Sequence, residues 1–297
     1  MWLCGRVGVC NFIGGRKPEV QRPVLEVCNF IGGTALHYSA NCGDRDTVVL
    51  LLDRGADVQA TDKDGWTALH HSAHCGYRDT VQLLLDRGAD VQITDNDGWT
   101  ALHRSTNWGY RDTVLLLLVR GADVQMAIRD GWTALHFPAN EGRDDIVRLL
   151  LDHGADIKMT DNDGRTTLHY SANEGHRDTV KLLLDRGADV QAADKDGCTA
   201  LHRSANKGHR GIVQLLLDRG SVIHTMDKDG WTALHRSAIC GHRDTVQLLL
   251  DRGADIRAAD NTGRTALYCS SKKGYCDISQ LLLERGADIQ KTDKAVM

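Results

Sequence analysis

One short motif returns along this chain at a fixed interval of 33 residues, and that interval constrains the fold more than any other feature. The tetrapeptide Thr-Ala-Leu-His begins at Thr34, Thr67, Thr100, Thr133, Thr199 and Thr232, and variants begin at Thr166 and Thr265. A Leu-Leu-Leu triplet and a Gly-Ala-Asp tripeptide keep the same interval, with one departure at Gly220-Ser221-Val222. Eight copies in strict register indicate a tandem array of one small structural unit.

The second copy indicates what each unit can form. Asp64-Gly65 is typical of a hairpin turn, because glycine accepts a positive φ without strain. Thr67 is placed to cap a short helix that Gly76 ends, and a second helix runs from Asp79 to Arg87. Isolated helices below about 12–15 residues are marginal in water, so one unit cannot fold alone. Stacking buries each Leu triplet against the next copy, which predicts an all-α solenoid.

The two ends of the chain depart from this pattern. We predict a repeat array over residues 27–292, a non-repeat lead-in over residues 1–26 and a tail over residues 293–297. Residues 9–15 return word for word as residues 27–33, an offset of 18 that is unrelated to 33. The lead-in is therefore expected to be disordered or a truncated former repeat, with a dedicated peptide-binding arm as the alternative. The polar residues 270–273 suit a terminal unit whose outer face meets water.

The motifs resemble those of the ankyrin repeat family, over residues 27–292. The resemblance implies helix-turn-helix units with protruding β-hairpin-like turns, and protein partners that bind a concave face built from the hairpin tips and first helices. Two departures recur. Alanine follows the motif Thr where the family has proline, which costs little because alanine is a good helix former. The family's asparagine after Gly-Ala-Asp-Val is glutamine here, which we expect to alter a hairpin hydrogen bond, at Gln59, Gln92, Gln125 and Gln191.

The resemblance also implies a structural role for the motif histidine, which in the family ties the hairpin to the helix by hydrogen bonds. The residues expected in this role are Thr67, His70, Thr100, His103, Thr133, His136, Thr199, His202, Thr232 and His235.

No pattern in the chain indicates chemistry. His70, His74 and Cys75 are the best candidates for zinc, but the motif role occupies His70 and no second ligand pair converges. The Asp-rich turn at residues 62–65 lacks the bidentate Glu of a calcium loop. Phosphate-binding loops, nucleophile elbows and metalloprotease motifs are absent from the sequence. We expect no catalytic residue, no metal and no cofactor.

The composition argues against nucleic-acid and membrane partners. The net charge is −4 and the pI is about 6.4, which gives no general attraction to polyanions. No apolar run approaches the roughly 18 residues of a membrane helix, and Arg6 interrupts the only stretch that resembles a secretory signal. Nine cysteines without a CxxC pair are typical of reduced thiols. We expect a monomer in the cytoplasm or nucleus.

The residue before each motif Thr is the best candidate for contact with a partner. A solvent-facing tryptophan is uncommon, and Trp and Arg are enriched in interface hot spots. We predict a ladder of Trp66, Trp99 and Trp132 with rungs about 10 Å apart, and Trp108 at its border. The alternative is that each Trp packs flat on its own hairpin. Further positions of the same row are Arg165, Cys198, Trp231 and Arg264.

Three functional hypotheses arise from these patterns. The first is a protein-interaction module or scaffold that holds an unidentified protein in the groove bearing Trp and Arg. The second is a fragment or paralogue of the ligand-sensing region of a larger signalling ATPase, motivated by the irregular ends. The third is a passive spacer without a specific ligand.

Overall fold

The computed structural model describes residues 33–289, which form sixteen α-helices and four isolated β-bridges. The helices alternate as first and second members of eight pairs, so the predicted all-α solenoid is confirmed. The predicted lead-in and tail, residues 1–26 and 293–297, lie outside the described residues. The pairs are α1 (Ala35–Asn41) and α2 (Arg45–Asp53), α3 (Ala68–Cys75) and α4 (Arg78–Asp86), α5 (Ala101–Trp108) and α6 (Arg111–Val119), α7 (His136–Glu141) and α8 (Asp144–Asp152), α9 (Thr167–Glu174) and α10 (Arg177–Asp185), α11 (Ala200–Lys207) and α12 (Arg210–Asp218), α13 (Ala233–Ile239) and α14 (Arg243–Asp251), and α15 (Ala266–Lys273) and α16 (Cys276–Glu284).

Seven of the eight described first helices begin directly after their motif Thr, as predicted, whereas α7 begins later, at His136, with Leu135 as its N-cap. Thr100 caps α5: its hydroxyl accepts from the His103 N–H at 3.4 Å, and its own N–H donates to His103 Nδ1 at 3.1 Å. Gly76 ends α3 with φ of 75°, in the left-handed region that favours glycine. A Cβ at Gly76 would also lie 2.5 Å from Tyr110 Cδ1 in the next repeat. Glycine is therefore required there both for the turn and for the stacking of repeats.

The core is one continuous cluster that every repeat extends. Leu69 of the motif and Leu84 of the triplet are fully buried, and their equivalents repeat this along the stack. Each fully buried leucine stabilises the fold by about 1.5–3 kcal/mol. Leu83, which faces the preceding repeat, is 7% exposed, whereas Leu50, the same position in the first described repeat, is 53% exposed. Burial thus comes from neighbours, as a solenoid requires.

The stack curves toward its first helices. First helices of adjacent repeats contact each other more extensively than second helices do. Closer spacing on one side bends a linear stack toward that side, which makes it concave. We call the surface formed by the first helices and the turns before them the inner face.

The glutamines that replace the family's asparagine bridge neighbouring repeats. Gln92 Nε2 donates to the carbonyl of Gly121 at 2.7 Å, and its Oε1 accepts from the N–H of Asp123 at 3.1 Å. Gln59 and Gln125 make the same pair of bonds, and Gln191 makes the first of them. The substitution therefore ties one repeat to the next across the turn after the second helix.

A second tie runs along the ends of the second helices as a row of ion pairs. In each, an arginine bonds the aspartate one repeat earlier at 2.7–2.9 Å. Among the described repeats the row is interrupted between α6 and α8, where Val119 stands for aspartate and His153 for arginine. The pairs are Arg87–Asp53, Arg120–Asp86, Arg186–Asp152, Arg219–Asp185, Arg252–Asp218 and Arg285–Asp251.

Candidate functional site

The motif histidines are buried, and all those in the described residues except His136 bond a backbone carbonyl of the next repeat through Nε2. His70 Nδ1 accepts from the N–H of Thr67 at 3.1 Å, and its Nε2 donates to the carbonyl of Trp99 in the next repeat at 3.0 Å. Burial lowers the pKa of His70 to about 4, so the ring is neutral at pH 7. The contact with the motif Thr recurs at His37, His103, His136, His169, His202 and His235.

The histidine considered for zinc is also engaged. Trp108 Nε1 donates to His74 Nδ1 at 3.0 Å, and the two rings lie edge to face with centres 5.2 Å apart. Burial, together with the positive charge of Arg104, lowers the pKa of His74 to about 4. Residues 33–289 contain no group of three or more His, Cys, Asp or Glu side chains placed to hold a metal ion.

Other side chains lie between Trp66, Trp99 and Trp132, the three tryptophans of the predicted ladder. The Arg104 guanidinium carbon lies 4.0 Å from the ring centre of Trp66 and 4.3 Å from that of Trp99. The ring centre of Phe137 lies 4.8 Å from that of Trp99 and 5.1 Å from that of Trp132. Tyr170 continues the series at 4.5 Å from Trp132. We call this set the stacked column: Trp66, Arg104, Trp99, Phe137, Trp132 and Tyr170.

The stacked column modifies the expectation of solvent-facing tryptophans. Trp66, Trp99 and Trp132 are partly buried, because residues of their own and the following repeat cover their ring faces. Trp108 is 41% exposed at the end of α5, and the His74 ring joins it to Trp66, with its centre 5.2 Å from both.

The C-terminal half of the row carries arginines with fewer aromatic rings. The Trp231 ring centre lies 5.0 Å from the guanidinium carbon of Arg236 and 5.7 Å from that of Arg264. Arg165 Nη1 lies 3.2 Å from Asp163 Oδ2 at the tip of its own turn. Cys198 is buried, with its Sγ 3.8 Å from Arg236 Nη2.

A buried aspartate holds most of these side chains in place. Asp95 Oδ1 accepts the N–H groups of Asp97 and Trp99, both at 2.9 Å, and its Oδ2 accepts from Arg104. The carboxylate thus fixes the turn and the column together. The same arrangement recurs in the pairs Asp62–His71, Asp161–Tyr170, Asp194–Arg203 and Asp227–Arg236.

In two of the described repeats, the pair formed by the buried aspartate and the first-helix side chain is replaced. In the fourth repeat Ile128 takes the place of aspartate, and its counterpart on the first helix is the apolar Phe137. In the eighth repeat Cys269 takes the helix position, and Arg264 bonds Asp260 instead, with 2.7 Å between Nε and Oδ2. A polar group is therefore buried here together with a partner.

Sequence reasoning missed the fourth residue after each motif Thr, which supplies Arg104, Phe137 and Tyr170 to the column. One signal was available in the fourth repeat, where this position is Phe137 and the aspartate nine residues before it is replaced by Ile128. The full series at this position is Tyr38, His71, Arg104, Phe137, Tyr170, Arg203, Arg236 and Cys269.

Comparison with known proteins gives one result. The family model described as ankyrin repeats (3 copies) matches in seven overlapping stretches, from residues 9–95 to residues 222–293. No curated protein matches the chain. Within residues 33–289, none of the helices has the length and apolar character needed to cross a membrane.

Proposed function

The chain belongs to the ankyrin repeat family, and on that premise we propose that it binds a protein partner along its inner face, through the stacked column and Trp108. Ankyrin repeats are generally protein–protein interaction modules, and members of the family are typically not enzymes. Within that general role, the inner face is the surface on which the partner would bind.

The stacked column is the observation that carries the proposal. It places three tryptophans, a phenylalanine, a tyrosine and an arginine in one unbroken strip on the inner face. Trp, Tyr and Arg are the residue types enriched where interfaces derive most of their binding energy. The partly buried rings keep edges open to a partner, and Trp108 widens the strip at one side.

The column is organised before any partner arrives. Asp95 fixes Arg104, and two tryptophan rings hold the guanidinium between them. Immobilising a flexible side chain on binding costs about 0.5–1.5 kcal/mol, and side chains that are already fixed avoid most of that loss. A rigid strip therefore suits recognition of one specific surface.

The test compares two triple variants of the full chain as bait in cells, with crosslinking and quantitative mass spectrometry. One carries Trp66→Ala, Trp99→Ala and Trp132→Ala, and the control carries Arg87→Ala, Arg120→Ala and Arg186→Ala, which alter the row of ion pairs on the second helices. We expect a set of proteins recovered with the wild type and the control to be lost with the tryptophan variant.

Stability is measured in parallel, because the tryptophans also pack against neighbours. Trp108→Ala serves as a milder inner-face variant, since it removes an exposed ring without opening the column. Equal recovery of every protein by the wild type and both inner-face variants would exclude this face as the contact surface.

A further inference from the structure

A cavity opens in the inner face where Cys198 stands in place of tryptophan. Trp66, Trp99 and Trp132 fill the equivalent position in earlier repeats, and Trp231 fills it in the next. The cavity measures about 150 Å³, and we call it the Cys198 cavity. It is lined by Asp196, Cys198, His202, Arg203, Asn206 and Arg236.

Two guanidinium groups face this cavity, and the carboxylates that pair with them lie behind. Arg203 donates to Asp194 and Arg236 donates to Asp227. Both aspartate side chains are 1% exposed, against 26% for Arg203 and 28% for Arg236. Arg203 Nε is buried without a hydrogen-bond partner among the described residues. Two arginines and Asn206 thus supply N–H donors to the lining, and Asp196 is the one carboxylate among the residues that line it.

The third repeat contains the same ion pair in a closed form. Arg104 donates to Asp95 as Arg203 does to Asp194, but Trp66 and Trp99 cover both faces of its guanidinium. Its side chain is 14% exposed. Arg236 has a ring on one side only, Trp231 at 5.0 Å, with Cys198 on the other side, and it is 28% exposed. Tryptophans on both faces therefore distinguish the closed form from the open one.

We propose that the Cys198 cavity binds a glutamate or aspartate side chain of the protein partner, whose carboxylate accepts hydrogen bonds from Arg203 and Arg236. The inference rests on the proposed function, since it specifies one feature of the protein that the inner face binds. Guanidinium groups match the planar geometry of a carboxylate, and charge-assisted bonds of this kind are about twice as strong as neutral ones. The Asn206 amide offers a further donor.

The surroundings favour a singly charged carboxylate over a phosphate. Asp196 lies at the rim and repels a dianion more strongly than a monoanion. Burial raises the pKa of the Cys198 thiol, so the thiol is neutral and does not repel the ligand. A smaller cavity on the other side of Arg203 also contains one carboxylate, Glu174, but its volume is only about 100 Å³. The charges around the Cys198 cavity therefore favour binding of one acidic side chain.

The experiment fills the cavity and keeps a matched control open. Linear peptides are selected by display on the full-length chain, and the tightest binder is measured by fluorescence anisotropy on the wild type, Cys198→Trp and Cys198→Ala. Tryptophan already occupies this position beside the same ion pair in the third repeat, so Cys198→Trp is compatible with the fold. Thermal unfolding verifies that both variants are folded.

We expect the selected peptides to share an Asp or Glu and to bind Cys198→Trp about ten- to hundredfold more weakly, with Cys198→Ala unchanged. Replacing that Glu by Gln should cause a similar loss on the wild type. Peptides that lack a shared acid, that bind Cys198→Trp at full strength, or that tighten when phosphoserine replaces Glu would each overturn the proposal. If peptides of any of these three kinds fail to bind the triple tryptophan variant, the inner face remains the binding surface and only the assignment of a carboxylate to the Cys198 cavity is wrong.

Discussion

Removing one buried aspartate should destabilise the array by an amount that depends on its helix partner. Asp95→Ala and Asp62→Ala are the matched pair. Each carboxylate accepts two backbone N–H bonds at 2.9–3.0 Å and is almost fully buried. The backbone share of the loss is therefore equal, at about 0.5–1.5 kcal/mol per bond.

The partners differ in charge. Arg104 stays protonated, so Asp95→Ala leaves a largely buried cation without its counterion. Such a loss costs about 3–5 kcal/mol when the pair is well buried. Burial lowers the pKa of His71, so at pH 7.5 Asp62→Ala leaves a neutral ring. Asp62→Ala also leaves the buried His71 N–H without its acceptor, which costs about 1–3 kcal/mol, so we expect Asp95→Ala to exceed Asp62→Ala by about 2 kcal/mol.

Urea unfolding at pH 7.5, followed by circular dichroism, measures both changes in the free energy of unfolding. Tryptophan fluorescence is recorded together with it, since a repeat array can unfold in more than one step. If the two variants lose the same stability within about 0.5 kcal/mol, the unpaired guanidinium carries no cost. The explanation of the Asp–Arg pairs as charge neutralisation would then be wrong.

Three other outcomes check separate features of the stack. Gln125→Ala should lower the free energy of unfolding by about 0.5–1.5 kcal/mol, whereas Lys158→Ala, at the same position without that bridge, should leave it unchanged in the same urea assay. Val119→Asp combined with His153→Arg should restore the ion pair with a coupling of only about 0.2–1 kcal/mol in a double-mutant cycle, because the site is exposed. Acidification from pH 7 to pH 5 should lower the free energy of unfolding. The unfolded chain protonates its histidines near pH 6.5, whereas burial lowers the pKa of His70, His103 and His136 to about 4 in the folded chain. A free energy of unfolding that does not change between pH 7 and pH 5 would show that these rings are not buried in the neutral form.

The sequence predicted those parts of the fold that repeat within one unit. The cap at each motif Thr, the glycine stops and the Leu triplets act through residues at most a few positions apart, so periodicity and helix chemistry suffice. The stacked column could not be predicted in the same way. Arg104 contacts Trp66, which lies 38 positions earlier, and that contact depends on the offset between two stacked repeats. The sequence predicted the tryptophan row but not the side chains that fill its gaps.

Some of the differences between repeats are paired replacements that keep the packing or charge of a site balanced. Where aspartate becomes Ile128 its partner is Phe137, and where aspartate becomes Val119 its partner is His153. A buried charge that loses its partner costs more than the pair contributes, which explains why Ile128 and Phe137 replace both members of the buried pair. Cys198 is different, because the Asp–Arg pair beside it is intact and only the covering ring is missing. That change opens a site while the ion pair stays in place, which is the kind of variation that recognition of a partner can use.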